Sequence, residues 1–371
     1  MKNLKNPFQD TRSENAKRLL READCFKLLF KLLFCAIILS ACTKNNPLET
    51  SLEETSAKQK AQTSSACTTG CWIGTVNHSN KELELYSWYA MDWNVSGART
   101  WNWKPTTARG YTSTQVSKWG NPNDFKIREV PSWGGNFVAA IGNGGLVTII
   151  NYSTGNKRWA VTVGSASVDN IHGVELLPNG NIAVAASTGG YVRLYASSGG
   201  ATTYASYALA HGHAVLWDPG QNRLWALGGN KLVKLSVGTA STPALTVDAT
   251  YTLPTSGGHA IGAKYGNINE LYVSSGSKVY IFNKTTTAFT EAPGLINRVG
   301  VKAISNQPDG VVVLTRPDAI KTPVPSDPAT VETAYNTSYV DYYTAAGAYI
   351  RSGHRVGASY YKGFVYNTNY Q

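Results

Sequence analysis

Charge is scarce in this sequence: Asp, Glu, Lys and Arg together make up only 15% of its 371 residues. Beside 35 Gly, 21 Tyr and 10 Trp, that scarcity argues against a helical enzyme or a disordered chain and for an all-β, extracytoplasmic protein. A glycine-rich phosphate loop and a dinucleotide fingerprint are missing, as is the strand–helix alternation both require. No Gly-x-Ser-x-Gly elbow supports a serine hydrolase. Lys and Arg do not cluster as they do in nucleic-acid binders, so nucleic acid is set aside as a partner. The longest apolar run, Leu28 to Ala41, is broken by Lys31 and Ser40 and is too short to span a bilayer comfortably.

That run does fit an export signal. Lys17, Arg18, Arg21 and Lys27 precede it, and it ends Leu39-Ser40-Ala41-Cys42. This resembles the bacterial lipobox, in which small residues fit the signal peptidase and the following Cys takes a diacylglycerol. The alternative is an ordinary signal peptide with a Cys at that place by chance. We therefore expect a lipoprotein signal peptide over 1–41, lipidation at Cys42, and an exported protein anchored by lipid to a bacterial membrane, the outer one. Residues 42–66 are polar, rich in Thr, Ser, Lys and Glu, and without periodicity, as suits a disordered tether. Of five cysteines, Cys25 and Cys35 leave with the signal, and Cys67 and Cys71 remain as an expected small-loop disulfide. The formal charge of +11 includes +4 from residues 1–41, so the mature chain is only mildly basic.

Residues 67–371 carry a repeat: a His or Lys, an apolar strand, a Gly- or Asn-containing turn, and a second apolar strand. Its entries fall near Lys126, His172, His213, His259 and Lys302, spaced by 46, 41, 46 and 43 residues. Short strands at that period are the mark of a β-propeller. Tyr339–Tyr343 and Gly347–Arg351 read as the outer strands of the repeat that begins at Lys302, lengthened by a Pro-rich excursion from Arg316 to Pro328. The segment 357–366 is then a lone inner strand. Its partners are Cys71–Val76, Glu82–Tyr86 and Arg99–Trp103, so that a strand from the C-terminal side closes the ring and removes free sheet edges. The expectation is an all-β, six-bladed propeller, with seven blades as the alternative if residues 87–123 hide another set.

Several segments recur together: Trp101-Asn102-Trp103-Lys104-Pro105, Gly144–Val147 leading to Thr154–Trp159, His172 with its Glu-Leu-Leu-Pro-Asn-Gly continuation, and Leu216-Trp217-Asp218 with Arg223–Gly228. In these the chain resembles an uncharacterised family of secreted bacterial six-bladed propellers, many of them lipoproteins. The resemblance covers roughly residues 72–371. It implies the fold and carries no activity.

If six blades surround one channel, the strand entries converge at its mouth. They bring Lys126 and Arg128, His172, His211 and His213, His259, Lys302, and Lys362 with Tyr361. Three readings compete. In the structural one, Gly-His pairs bond across their own blades as in WD-type propellers, although the Trp-Asp that such blades carry is misplaced here. The second is a metal site of His172, His213 and His259, three imidazoles that would suit a transition metal, opposed by the nearby lysines. In the third, Lys126, Arg128, His211, His259, Lys302 and Lys362 bind an anionic ligand, an acidic oligosaccharide or polysaccharide, with Tyr361 and Trp217 as apolar platforms. Chemistry there would be elimination from a uronate by a polysaccharide lyase, with His172 or His213 as base and Tyr361 as acid. A non-enzymatic scaffold remains the alternative. The residues leave the cofactor open.

Overall fold

The spaced apolar runs pair into antiparallel sheets. The computed structural model describes residues 72–197 and 203–371. The expected signal peptide, tether, lipidation site Cys42 and disulfide partners Cys67 and Cys71 lie outside the described residues. Within them the strands make six sheets of four. Five sheets use consecutive strands and are numbered blades 2 to 6. Their inner strands are Pro122–Val130, Ile171–Leu176, Gly212–Asp218, Ala260–Ala263 and Ala303–Asn306. Blade 1 combines Trp72–Asn77, Glu82–Ser87 and Arg99–Trp103 with the distant inner strand Tyr360–Val365. Ile73 pairs with Val365 and Val76 with Lys362, so the ring is closed by the strand expected to close it.

Packing shows the same ring. Six apolar cores fill the spaces between sheets, each shared by two neighbouring blades. The core that joins blade 6 to blade 1 sets Val313, Val340 and Tyr342 against Ile73, Tyr86 and Val365. Residues 88–121 hold only a 3-10 turn, Thr107–Arg109, and a single helical turn, Ser113–Ser117, besides the strand Arg99–Trp103. The described residues therefore form six blades and not seven.

Around the axis, inner strands sit too close for side chains on every face and are joined by polar groups. A Cβ at Gly262 would fall 2.2 Å from the carbonyl oxygen of Ile304. Asp124 Oδ2 accepts from Val174 N, Asn306 Oδ1 from Tyr265 N, and Ser305 Oγ from Val365 N. Each bond pairs a backbone donor that no ladder partner serves at that place.

The face from which the inner strands are entered is called upper here. Residues 366–371 cross the lower mouth. Arg128 donates to the carbonyls of Asn367 and Asn369, the Tyr370 hydroxyl to that of Leu176, and the Gln371 amide to those of Lys264, Asn267 and Glu270. This strap joins blades 2, 3 and 5, which leaves the upper face as the open side of the channel. Among the described residues no helix is long and apolar enough to cross a membrane.

Candidate functional site at the upper mouth

Four rings from four blades meet at the top of the axis. His172 and His213 stack with centroids 4.6 Å apart and planes 14° off parallel. His259 lies 4.7 Å from His213 and 6.3 Å from His172. The Tyr361 hydroxyl is 3.1 Å from His172 Nδ1 and 3.4 Å from His259 Nε2. Local backbone geometry holds these rings in place. His211 takes a left-handed φ of 53° just before its strand, and its carbonyl accepts from His213 Nδ1 at 2.8 Å. That bond puts the ring proton on Nδ1 and leaves a lone pair on Nε2.

The lysines complete the layer. Lys302 Nζ stands 3.1 Å from His259 Nε2, and Lys362 Nζ donates to the His172 carbonyl at 2.7 Å. Lys362 shares Asp124, at 3.5 Å, with Lys126, which sits 3.0 Å from the same carboxylate. No carboxylate of the described residues pairs with Lys302.

Burial sets the protonation states. Desolvation, with Lys302 and Lys362 nearby, holds His172 and His259 well below the ordinary imidazole value, and brings His213 down to about 4. Burial lowers both Lys302 and Lys362 to about 8, and raises the Tyr361 phenol. At neutral pH the mouth therefore presents neutral imidazoles between charged ammoniums.

Beside this layer the upper face opens into a groove of about 670 Å³ over blades 3 to 5, walled by Tyr207, His211, His213, Lys231 and His259. Its size suits a small ligand or a few sugar units. His213 and His259 form the wall nearest the axis. The residues that follow them, Ala214 and Ala260, line the central channel.

Residues 90–321 match a family described as a family of unknown function, DUF6528. The chain belongs to this family. A crystal structure of a protein of unknown function from Bacteroides caccae is similar to this DUF6528 chain, with 8% identity and a TM-score of 0.52 over 81% of this chain and 100% of that one. At that identity the likeness shows the fold alone. No curated protein matches the sequence.

Of the residues expected at the mouth, His172, His213, His259, Lys302, Tyr361 and Lys362 are brought together, Lys126 adjoins them through Asp124, and His211 lines the groove. Arg128 lies elsewhere. It is buried lower in the channel, with Nε 2.9 Å from Glu175 Oε1 and Nη2 2.9 Å from Glu175 Oε2. Burial opposes its charge, but Glu175 prevails and its pKa rises. Trp217 is no platform either: it is buried between blades 3 and 4 and borders a hollow on the lower side. The WD-type bond is also missing for His213 and His259, whose hydrogen bonds go to the His211 carbonyl, Lys302 and Tyr361. Asp218 serves Trp225 Nε1 and Lys284 Nζ instead. Among the described residues no group of His, Cys, Asp or Glu is arranged to hold a metal ion. Of the three imidazoles only His172 and His213 stack face to face, with His259 turned 65° and 50° from them.

Other mouth residues came from places the repeat did not mark. His78, in the turn after Trp72–Asn77, stacks on Tyr361 at 5.5 Å and joins Glu332 at 2.7 Å and the Pro122 carbonyl at 2.9 Å. Burial lowers its pKa against the pull of Glu332. Glu332 and Tyr335 belong to the long connection between strands of blade 6, which the buried Asp318 organises by accepting from Ala329 N and Ser338 N. Tyr335 is 58% exposed, with its ring 5.6 Å from Lys302 Nζ, and it is an open aromatic surface beside the ammonium.

Proposed function

We propose that this propeller binds the carboxylates of an acidic glycan at its upper mouth. The observation that carries the reading is Lys302, a partly buried ammonium with no carboxylate partner, placed between an exposed Tyr and the imidazole layer. A charge left unpaired in a concave site attracts an opposite charge, and its partial desolvation strengthens the pairing once made. Lys362 adds a second ammonium, and the groove over blades 3 to 5 gives the rest of an oligosaccharide a place to lie. Calorimetric titration of the purified protein with oligouronates and with neutral oligosaccharides tests this. Uronates bind, and Lys302→Met weakens them tenfold or more. Equal binding of neutral sugars, or uronate binding unchanged in the variant, overturns it.

The lipobox residues Leu39-Ser40-Ala41-Cys42 support export and lipid anchorage of the same protein. Metabolic labelling with a fatty acid tests this, with label expected on the native chain and lost in Cys42→Ser.

One observation favours lyase chemistry at the same place. The phenol of Tyr361 bonds to His172, while His213 keeps a lone pair on Nε2. With the uronate carboxylate neutralised by Lys302, an imidazole would take the C5 proton and Tyr361 would protonate the leaving glycosidic oxygen, creating a C4–C5 double bond. The ultraviolet absorbance of the unsaturated product is the test. Its absence, with binding intact, leaves a glycan-binding protein.

A further inference from the structure

Below the ring layer the channel narrows to a cavity of about 60 Å³. That is room for about four water centres, and too little for a pyranose ring with its hydroxyls. Most of its wall is apolar, with Ala214, Ala260, Ile261 and Ile304 among its residues, while Asp124, Lys126, Lys302 and Lys362 border its upper part. The charges there do not balance. Three ammoniums meet one carboxylate, and Asp124 is already divided between Lys126 and Lys362. Arg128 lower down is matched by Glu175, while Glu332 lies above the layer, half exposed and bonded to a neutral His78, and pairs with none of the three lysines. The layer also contains a buried donor without a partner, Nδ1 of His259. Lys302 donating to Nε2 places the proton of that ring on Nδ1.

We propose that a small monovalent anion, chloride in the simplest case, occupies the axial cavity beneath the ring layer and neutralises Lys302 and Lys362. The apolar wall and the volume select a weakly hydrated ion of atomic size over a sulfate or a sugar carboxylate carrying its ring. Deprotonation does not remove the need for it at neutral pH, because the value of about 8 for both amines leaves them charged. Burying the Lys302 charge without a carboxylate partner is unfavourable, and an anion in contact offsets that cost. This site shares Lys302 with the proposed glycan site but does not depend on it.

The test is bromide. Crystals of the protein grown or soaked in bromide are measured at the bromine edge, and thermal unfolding is followed as bromide or chloride replaces fluoride at constant ionic strength. The expected result is an anomalous peak in the axial cavity next to Lys302. The melting temperature should also rise with the logarithm of halide concentration, as it does for a ligand of the native state alone. Lys302→Met should lose both, and Lys362→Met provides a second variant if the first does not fold. No axial peak at saturating bromide, peaks only on the outer surface, or a melting temperature indifferent to the halide overturns the proposal. Uronate titration in halide-free buffer separates the two sites. Bromide in the cavity without uronate binding sinks the glycan reading alone, and the converse sinks the halide site alone.

Discussion

The Lys302 ammonium donates to Nε2 of His259 across the seam between blades 6 and 5, at 3.1 Å. A neutral imidazole accepts that bond and an imidazolium cannot, so each residue fixes the protonation of the other. The consequence for ligand binding is a one-sided pH profile. Affinity for an acidic ligand is full at neutral pH and falls as pH rises through about 8, where Lys302 and Lys362 discharge. The imidazoles contribute nothing to that fall, being neutral throughout it. Calorimetry from neutral to alkaline pH checks this, and a flat profile contradicts the assignment of the lysines.

The same lysine makes a prediction about stability. Its folded-state pKa of about 8 lies below the ordinary 10.5, so the folded chain binds fewer protons than the unfolded one between those values. Stability therefore rises with pH across that window. Lys302→Met removes a desolvated charge and keeps most of the volume. It should stabilise the fold at neutral pH by ~1–3 kcal/mol in halide-free buffer. Denaturant unfolding at neutral and alkaline pH measures this, and the gain should shrink as pH rises because the native lysine is then neutral as well.

Arg128 and Glu175 behave in the opposite way. Both are buried and bonded in fork geometry, and Glu175 also accepts from Leu176 N and Trp217 N. Either Arg128→Met or Glu175→Gln strands a buried charge and should cost ~3–5 kcal/mol. The double variant should recover part of that loss, because it leaves no unpaired charge. Additive losses in thermal or denaturant unfolding would show that the pair is not coupled.

Much of this could be read from the chain, because a propeller repeats its periodicity along the sequence. The entries at His172, His213, His259 and Lys302 fall at one level of the axis since their spacing tracks one blade, and ring closure followed from counting strands left unpaired at 357–366. What the repeat could not carry was depth along a strand. Lys126 and Arg128 are two residues apart, yet the first reaches the mouth and the second pairs with Glu175 below it. Nor could it carry the connections. His78 lies in a turn, and Glu332 and Tyr335 lie in the excursion of blade 6, where contacts depend on how loops fold over the face. Trp217 was misplaced for a related reason: its side chain fills the core between blades 3 and 4 instead of facing the upper side.

The fold and the site meet at Gly173, which follows His172 in the inner strand of blade 3. A Cβ there would lie 2.7 Å from the Ala214 Cα and 2.8 Å from the His213 carbonyl oxygen, both backbone atoms that cannot rotate away. Blades 3 and 4 thus touch main chain to main chain at the level where His172 stacks on His213. Gly173→Ala must part the two strands, at an overpacking cost of ~1–3 kcal/mol, and the separation opens the imidazole stack with them. Gly262→Ala forces a similar clash against Ile304 of blade 6, three residues past His259, and serves as the control. Both variants should lose stability in denaturant unfolding, while Gly173→Ala should lose more affinity for the acidic ligand. If the two lose stability alike and bind alike, the stacked pair holds the ring together but takes no part in recognition.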